Sequence, residues 1–181
     1  MIDGYGRTID YVRISVTDRC NLRCVYCMPE EGIGSISHEE ILRFGEIERV
    51  CQILAENGIQ KIKLTGGEPL VRRRLPELAA ALKQIPGIKS LTITTNGVLL
   101  EEMYDALADA GVDSVTISLD TLDASVYRQL TRRDELEAVR RGLRTAIQKG
   151  RMQIKINCVP VLGIEEQKLL EVAELAKNHN V

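Results

Sequence analysis

The sequence predicts an α/β fold built on five parallel strands, and three observations support this. Five short runs rich in β-branched residues recur along the 181-residue chain. Helical patterns separate the runs, and this alternation is typical of a parallel sheet with right-handed crossovers. In each run one parity is apolar and the other is polar, so one face of the sheet should pack on helices while the other is hydrophilic. The hydrophilic face either lines a polar cavity or is exposed to water, and the alternation does not distinguish between these two interpretations.

The predicted strands end in turns whose residues differ from ordinary loop residues. The strands are expected at residues 11–17, 61–67, 90–97, 114–120 and 153–160. Four of them lead into unusual turns, which read "DRCNLRCVYC", "GGEP", "TNG" and "SLD". In α/β sheets and barrels, ligand sites lie at the carboxyl ends of the strands. We therefore expect the functional site at this edge of the sheet.

Helices are predicted from apolar residues at helical spacing, together with start and stop signals. A capping box of Ser37 and Glu40 should open the first helix, and Gly58 should end it. Pro76 suits the first turn of the second helix. The chain ends at Val181, which is expected to begin a sixth strand. Each of the five predicted helices is marked by apolar residues that share one face or by its bounds. The first has Ile41, Ile47, Val50, Cys51 and Leu54, the second spans 75–83, and the third runs from Leu99, with Met103, Leu107 and Ala110, to its stop at Gly111. The fourth has Leu136, Val139, Leu143 and Ile147 before Gly150, and the fifth has Leu169, Val172, Ala173 and Ala176.

Composition excludes several function classes. A net charge of -2, one Phe and no Trp argue against a nucleic-acid surface, which needs clustered basic residues and stacking aromatics. No apolar run approaches membrane-spanning length, and the start of the chain lacks the apolar stretch of a secretory signal. We therefore expect a cytoplasmic protein with no membrane or nucleic-acid partner, in which thiols stay reduced.

Cys20, Cys24 and Cys27 lie within eight positions of a chain that has five cysteines. Structural zinc normally takes four ligands, often as two separated Cys pairs, and the chain has no second pair. His38 and His179 are distant in sequence. A dithiol redox pair would use only the "CVYC" part and leave Cys20 without a role. A cubane iron–sulfur cluster with one open iron would use all three thiols.

Other site candidates have competing interpretations. Cys51 and Cys158 are expected to be buried core thiols. Arg13, Lys63 and Lys155 share the polar parity, and three buried like charges repel unless an anion joins them. For any one of these cations alone, a salt bridge to Asp120 or Glu68 is the alternative.

The cysteine stretch and the turns together resemble the signature of radical S-adenosylmethionine (SAM) enzymes. "CNLRCVYC" follows a first strand, and "TGGEP", "TTNG" and "SLD" fall where that family's SAM-binding turns fall. The resemblance implies an incomplete (β/α)6-type partial TIM barrel. It is strongest to those members that cyclise GTP in molybdenum-cofactor biosynthesis. It covers the first part of their longer chains, so residues 1–181 are expected to form a barrel domain that lacks the region holding a second cluster.

The resemblance also implies a role for individual residues. Cys20, Cys24 and Cys27 would ligate a [4Fe-4S] cluster whose fourth iron binds SAM. Tyr26, Gly67 and Ser118 would contact SAM, with Glu68 nearby as a carboxylate for an ammonium group. Arg13, Lys63, Thr94 and Lys155 would bind GTP. The resemblance further implies an external electron donor and allows a homodimer.

The activity implied by the resemblance is radical cyclisation of GTP to a 3',8-cyclised nucleotide. A hydrogen at the 3' position of GTP would be removed, after which the ribose attacks C8 of guanine. Two alternatives stay open at this point: a different radical SAM enzyme, such as a peptide-modifying one, and a non-catalytic metal-binding fragment. This chain alone is expected to hold the first cluster without making the cyclised product.

Overall fold

The computed structural model describes residues 2–34, 37, 40–164, 167–178 and 181. His38 and His179 lie outside the described residues. The described part contains five strands, β1 (Tyr11–Ser15), β2 (Lys61–Thr65), β3 (Ser90–Thr95), β4 (Ser114–Ser118) and β5 (Gln153–Asn157). It also contains the helices α1 (Phe44–Glu56), α2 (Leu75–Lys83), α3 (Leu100–Asp109), α4 (Ala124–Thr131), α5 (Leu136–Lys149) and α6 (Leu169–Asn178). None of the described helices is both long enough and apolar enough to cross a bilayer.

The five strands form one parallel sheet in the order β1-β2-β3-β4-β5. Each strand pairs with its sequence neighbour, so every connection is a crossover that carries helix. Within the described residues β1 and β5 are the two edges, and the sheet does not close on itself. The α/β class with five parallel strands is confirmed. The carboxyl ends of all five strands consequently meet at one rim.

The helices cover the apolar face of the sheet. Leu64, Ile93 and Ile117, on the three central strands, are fully buried in the core between sheet and helices. The opposite parity is half-buried in the central strands and exposed at Arg13 on the β1 edge. The predicted division into an apolar and a polar face is therefore present. We call the second one the polar face.

The first helix begins later than the capping box predicts. Ser37 and Glu40 do bond to each other, with Ser37 Oγ 3.0 Å from Glu40 Oε2, but this bond closes a local turn. The helix begins at Phe44, where the Glu46 carboxylate accepts a hydrogen bond from the Arg43 backbone N–H at 2.6 Å. That acidic residue in the first turn satisfies an orphan donor, so it replaces the predicted cap. Val50, expected on the buried face of this helix, is exposed.

One helix was not predicted, and one cysteine prediction is wrong. α4 begins after Asp123, whose carboxylate accepts hydrogen bonds from the Ser125 and Val126 backbone N–H groups. This is an ordinary N-cap, but the helix has only eight residues and a short apolar period. Cys158 is only half-buried because it follows the end of β5 and leaves the core, whereas Cys51 is fully buried as expected.

Candidate active site

The cysteine loop follows β1 and carries three free thiols. Cys20 and Cys24 are half-buried and Cys27 is exposed. The loop turns back on itself because the Cys27 N–H donates to the Cys24 carbonyl at 2.9 Å. The thiol sulfur of Cys20 accepts a hydrogen bond from the Leu22 N–H at 3.4 Å. The chain thus presents three thiols from one short turn at the rim.

The thiol pKa values reflect the enclosure of the loop. Burial raises the pKa of Cys20 and raises that of Cys24 to about 11. The neighbouring thiols add to both shifts, since each negative sulfur disfavours ionisation of the next. A cation bound between them would reverse this effect by displacing the protons.

The donor set fits a cubane cluster better than a single ion. Among the described residues, no three His, Cys, Asp or Glu side chains are placed so that they could hold one metal ion. Thiolates on a cubane bind three separate irons, so their sulfurs do not need to converge on one point. The geometry therefore gives no support to the zinc interpretation of this loop.

The "GGEP" turn after β2 packs directly against the backbone of the cysteine loop. The Gly67 N–H donates to the Thr17 carbonyl at 2.7 Å. A Cβ atom on Gly67 would lie 2.3 Å from the Arg19 carbonyl oxygen, and one on Gly66 would lie 2.4 Å from that of Thr17. Only glycine permits such a close approach of two backbones. The two glycines therefore form a cradle beside the cysteine loop.

The Glu68 carboxylate is engaged by groups of the protein itself, which gives no support to the expected role beside an ammonium group. Its side chain is buried with 1% exposed, and Oε1 accepts hydrogen bonds from Leu70 N–H at 2.9 Å and Thr95 Oγ1 at 2.7 Å. Oε2 accepts one from the Asn96 N–H at 2.6 Å. Burial raises the pKa of Glu68, although these three bonds act in the opposite direction. Glu68 is a structural residue that ties the turn after β2 to the turn after β3.

Two further residues of the site were not assigned to it from the sequence, since Asn96 was not singled out and Asp120 was named only as a possible salt-bridge partner. Asn96, in the "TNG" turn, donates from Nδ2 to Asn21 Oδ1 at 2.7 Å, and the same nitrogen lies 3.9 Å from Cys20 Sγ. Asp120, in the "SLD" turn, accepts from the Tyr26 hydroxyl at 2.5 Å and from the Val159 N–H at 2.8 Å. Both turns were marked by their position at strand ends, which is the signal that pointed to them.

Tyr26, Ser118 and Cys24 lie around one small cavity. The cavity has a volume of about 30 Å³ and is also lined by Tyr127. Tyr26 is about half exposed, and its hydroxyl spans from the cysteine loop to the end of β4 through Asp120. Burial and this hydrogen bond raise the pKa of Tyr26. The structure therefore brings two of the predicted SAM contacts beside a cysteine, and Gly67 packs against the backbone just before Cys20.

The cations of the polar face are arranged by strand register. Arg13 on β1 and Lys63 on β2 are direct register partners. Thr94 on β3 pairs with Thr116 on β4, which in turn pairs with Lys155 on β5. Lys155 is thus on the opposite edge of the sheet. The structure brings Arg13 and Lys63 together and places Thr94 between the two edges.

None of these three cations forms an ion pair with a carboxylate in the described part of the chain. Arg13 Nε has the Tyr11 hydroxyl at 3.4 Å as a weak partner. The alternative of salt bridges to Asp120 or Glu68 is wrong, because both carboxylates bond to other groups. Arg13 and Lys155 are exposed and Lys63 is half-buried, so the expectation of three buried cations is wrong. The polar face nevertheless carries positive charge that no described carboxylate neutralises.

Comparison with known proteins identifies the relatives of this chain. Residues 14–176 match the radical SAM superfamily. The chain is 50% identical over 178 residues to the GTP 3',8-cyclase of Pelotomaculum thermopropionicum, covering 98% of this chain and 55% of the relative. It is 47% identical over 169 residues to that of Petrotoga mobilis, covering 93% and 52%. The chain thus spans about half the length of these relatives.

Solved structures share the fold at lower sequence identity. Streptococcus suis SuiB bound to S-adenosylmethionine superposes with a TM-score of 0.71 at 22% identity, over 93% of this chain and 36% of SuiB. Methylornithine synthase superposes with a TM-score of 0.72 at 20% identity, over 93% and 50%. At these identities the likeness shows the fold alone, which is that of a radical SAM partial barrel.

Proposed function

The chain belongs to the radical SAM superfamily, and on this premise we propose that it carries the cluster-binding barrel of a GTP 3',8-cyclase. The observation that carries the proposal is the loop of three free thiols at the end of β1, packed against the glycine cradle of the next turn. Relatives with that name match nearly the whole chain at 50% and 47% identity. SuiB, which has also been solved bound to a precursor peptide, shares only the fold at 22–24% identity, so it supports the peptide-modifying alternative less.

The thiolates of Cys20, Cys24 and Cys27 would hold a [4Fe-4S] cluster to which SAM binds. Given an electron from an external donor, the cluster and SAM would supply the chemistry that removes a hydrogen atom from the substrate. The chain's own part is to keep the thiols together and partly shielded from water. The half-burial of Cys20 and Cys24 serves that purpose.

Tyr26, Gly67 and Ser118 bind SAM beside the cysteine loop. Tyr26 presents its ring at the rim, where its hydroxyl is fixed by Asp120. Gly67 lets the backbone approach the methionyl part closely, since the turn has no side chain in the way. Ser118, on the polar face at the end of β4, offers a hydroxyl to the ribose or carboxylate.

Arg13, Lys63, Thr94 and Lys155 bind GTP on the polar face. The negative charge of a triphosphate would neutralise the three unpaired cations, and Thr94 adds a hydroxyl between the two edges of the sheet. Arg13 and Lys63 are register partners and would contact the triphosphate together, whereas Lys155 would contact GTP from the opposite edge of the sheet.

The first test is anaerobic reconstitution of this chain with iron and sulfide. We expect about four irons per chain, a broad visible absorption, and an electron paramagnetic resonance signal after reduction that changes when SAM is added. Each of Cys20→Ser, Cys24→Ser and Cys27→Ser should abolish the signal, whereas Cys51→Ser should retain it. Uptake of one zinc and no iron would refute the cluster.

The second test separates GTP from other substrates by anaerobic titration calorimetry. In the reconstituted chain, Arg13→Ala and Lys63→Ala should each weaken GTP binding about tenfold or more, as expected for loss of a charge-assisted contact. Arg144→Ala removes the same charge from the exposed side of α5 and is the matched control. Equal effects of the three substitutions, or no GTP binding by a chain that holds its cluster, would contradict the substrate assignment.

A further inference from the structure

The C-terminal end of α4 is the platform on which the cysteine loop lies. The Arg23 N–H donates to the Thr131 carbonyl and the Val25 N–H donates to the Leu130 carbonyl, each at 2.9 Å. Carbonyls in the last turn of a helix have no partner inside the helix. Two of these carbonyls are satisfied by the backbone of the loop that surrounds Cys24. The loop is thus held to the C-terminal end of α4 by two backbone hydrogen bonds.

Arg132 completes this junction with its side chain. Its Nη1 donates to the Arg23 carbonyl at 3.2 Å and to the Met28 carbonyl at 3.1 Å. Arg23 directly precedes Cys24, and Met28 directly follows Cys27. One guanidinium nitrogen therefore bonds to both ends of the segment that carries two of the three thiols.

The backbone at Arg132 favours glycine over arginine. Arg132 caps α4 in the left-handed conformation, with φ of 54°. Helix C-caps of this kind are usually glycine, because a Cβ atom is strained there. An arginine at this position is explained by what its side chain reaches, which is the cysteine loop.

The positive charges beside the loop are not neutralised by carboxylates. Arg132 is in no ion pair with a described residue, and its partners are carbonyls. The same holds for Arg23, whose Nη1 donates to the Cys20 and Leu22 carbonyls at 2.7 Å each. Cationic groups near an iron–sulfur cluster favour its reduced form, which carries one more negative charge.

We propose that Arg132 is a positioning residue that orders the Cys24–Cys27 turn on the end of α4 and raises the reduction potential of the cluster held there. The inference rests on the proposed cluster, and it adds a function for α4 and Arg132. The side chain acts through the loop carbonyls and does not touch the cluster ligands' sulfurs.

Hydrogen exchange on the cluster-free chain tests the positioning role. In Arg132→Gln the amides of Arg23 and Val25 should exchange at least tenfold faster than in the wild type, because the turn loses its anchor. Arg133→Gln is the control, since Arg133 is exposed and donates to the Arg132 carbonyl rather than to the loop. Circular dichroism should show the same helix content in all variants. Equal exchange in wild type and Arg132→Gln would overturn the positioning role.

A potentiometric titration of the reconstituted chain, with dithionite as reductant, tests the charge. Arg132→Gln should lower the ratio of reduced to oxidised cluster at a given potential about tenfold, which is 59 mV for a one-electron couple. Arg132→Lys keeps the charge and should retain most of the potential. Arg133→Gln should shift it less than Arg132→Gln. If wild type loads four irons and Arg132→Gln keeps its potential, the inference fails; if wild type loads none, the proposed function fails instead, and the exchange result still decides the positioning role.

Discussion

Glu68 is the residue whose removal should disturb the rim most without touching a proposed ligand. Its carboxylate is buried and accepts three hydrogen bonds, from Leu70 N–H, Thr95 Oγ1 and Asn96 N–H. In Glu68→Ala all three donors lose their partner inside the protein. In Glu68→Gln the shape is kept, but the new amide NH2 meets at least one of the N–H donors, and two donors cannot bond to each other.

The magnitudes follow from these contacts. Leaving a buried donor unsatisfied costs about 1–3 kcal/mol, and the loss of the buried charge offsets part of the total. We expect Glu68→Ala to lower the free energy of unfolding by about 3–5 kcal/mol and Glu68→Gln by about 1–2 kcal/mol. Equilibrium urea unfolding of the cluster-free chain, followed by circular dichroism, measures both. A loss under about 1 kcal/mol in Glu68→Ala would refute the view that this carboxylate joins the turns.

The same site predicts a pH dependence with a definite sign. Burial raises the pKa of Glu68 above its ordinary value of 4.5, so the folded chain holds the proton more tightly than the unfolded chain does. The resulting stability is present below about pH 4.5 and is lost as the pH rises through the folded pKa. The difference in unfolding free energy between wild type and Glu68→Gln should therefore shrink as the pH rises. A difference that grows with pH would contradict the direction of the shift.

Three other predictions concern packing and thiols. Gly67→Ala should destabilise the chain by about 1–3 kcal/mol, because its Cβ meets a backbone carbonyl, whereas Gly45→Ala, in α1 with free space around it, should stabilise by about 0.5–1 kcal/mol in the same urea assay. Burial raises the pKa of Cys51 to about 11, so native alkylation followed by mass spectrometry should modify exposed Cys27 and spare Cys51; equal labelling would contradict the packing. Tyr127→Phe should change the unfolding free energy by less than about 0.5 kcal/mol, because the hydroxyl is buried and has no hydrogen-bond partner among the described residues, and a loss above about 1 kcal/mol would reveal one.

The fold was largely predictable from the sequence because its signals are local. Alternating parity placed the first residue of every strand correctly, and Leu75–Lys83 was located with both ends. The start of α1 was not located correctly, since Ser37 and Glu40 bond to each other without beginning a helix. A capping box identifies a turn whose N–H groups need partners, and it does not determine whether the chain continues as a helix.

The site was predictable in kind but not in its supports. Cysteine spacing and strand ends indicated where ligands lie, because these signals depend on residue type. The contacts that hold the loop could not be predicted in this way, because Arg132 bonds to backbone carbonyls, which every residue has. For the same reason, an acidic residue such as Glu68 could not be assigned to ligand or structure before its partners were known.

The observed strands end earlier than the side-chain alternation predicts. Each predicted strand runs two or three residues past the observed end, as at Val16 and Thr17 after β1 or Leu119 and Asp120 after β4. Those residues keep the alternation of the strand, since Val16 and Leu119 are buried in the core. The Val16 and Leu119 N–H groups still bond to the last residues of β2 and β5, and only at the next residue does a backbone group bond to a turn, as when the Thr17 carbonyl accepts from the Gly67 N–H. The rim therefore begins where hydrogen bonds between strands give way to hydrogen bonds between turns, and these bonds hold the turn after β2 against the start of the cysteine loop.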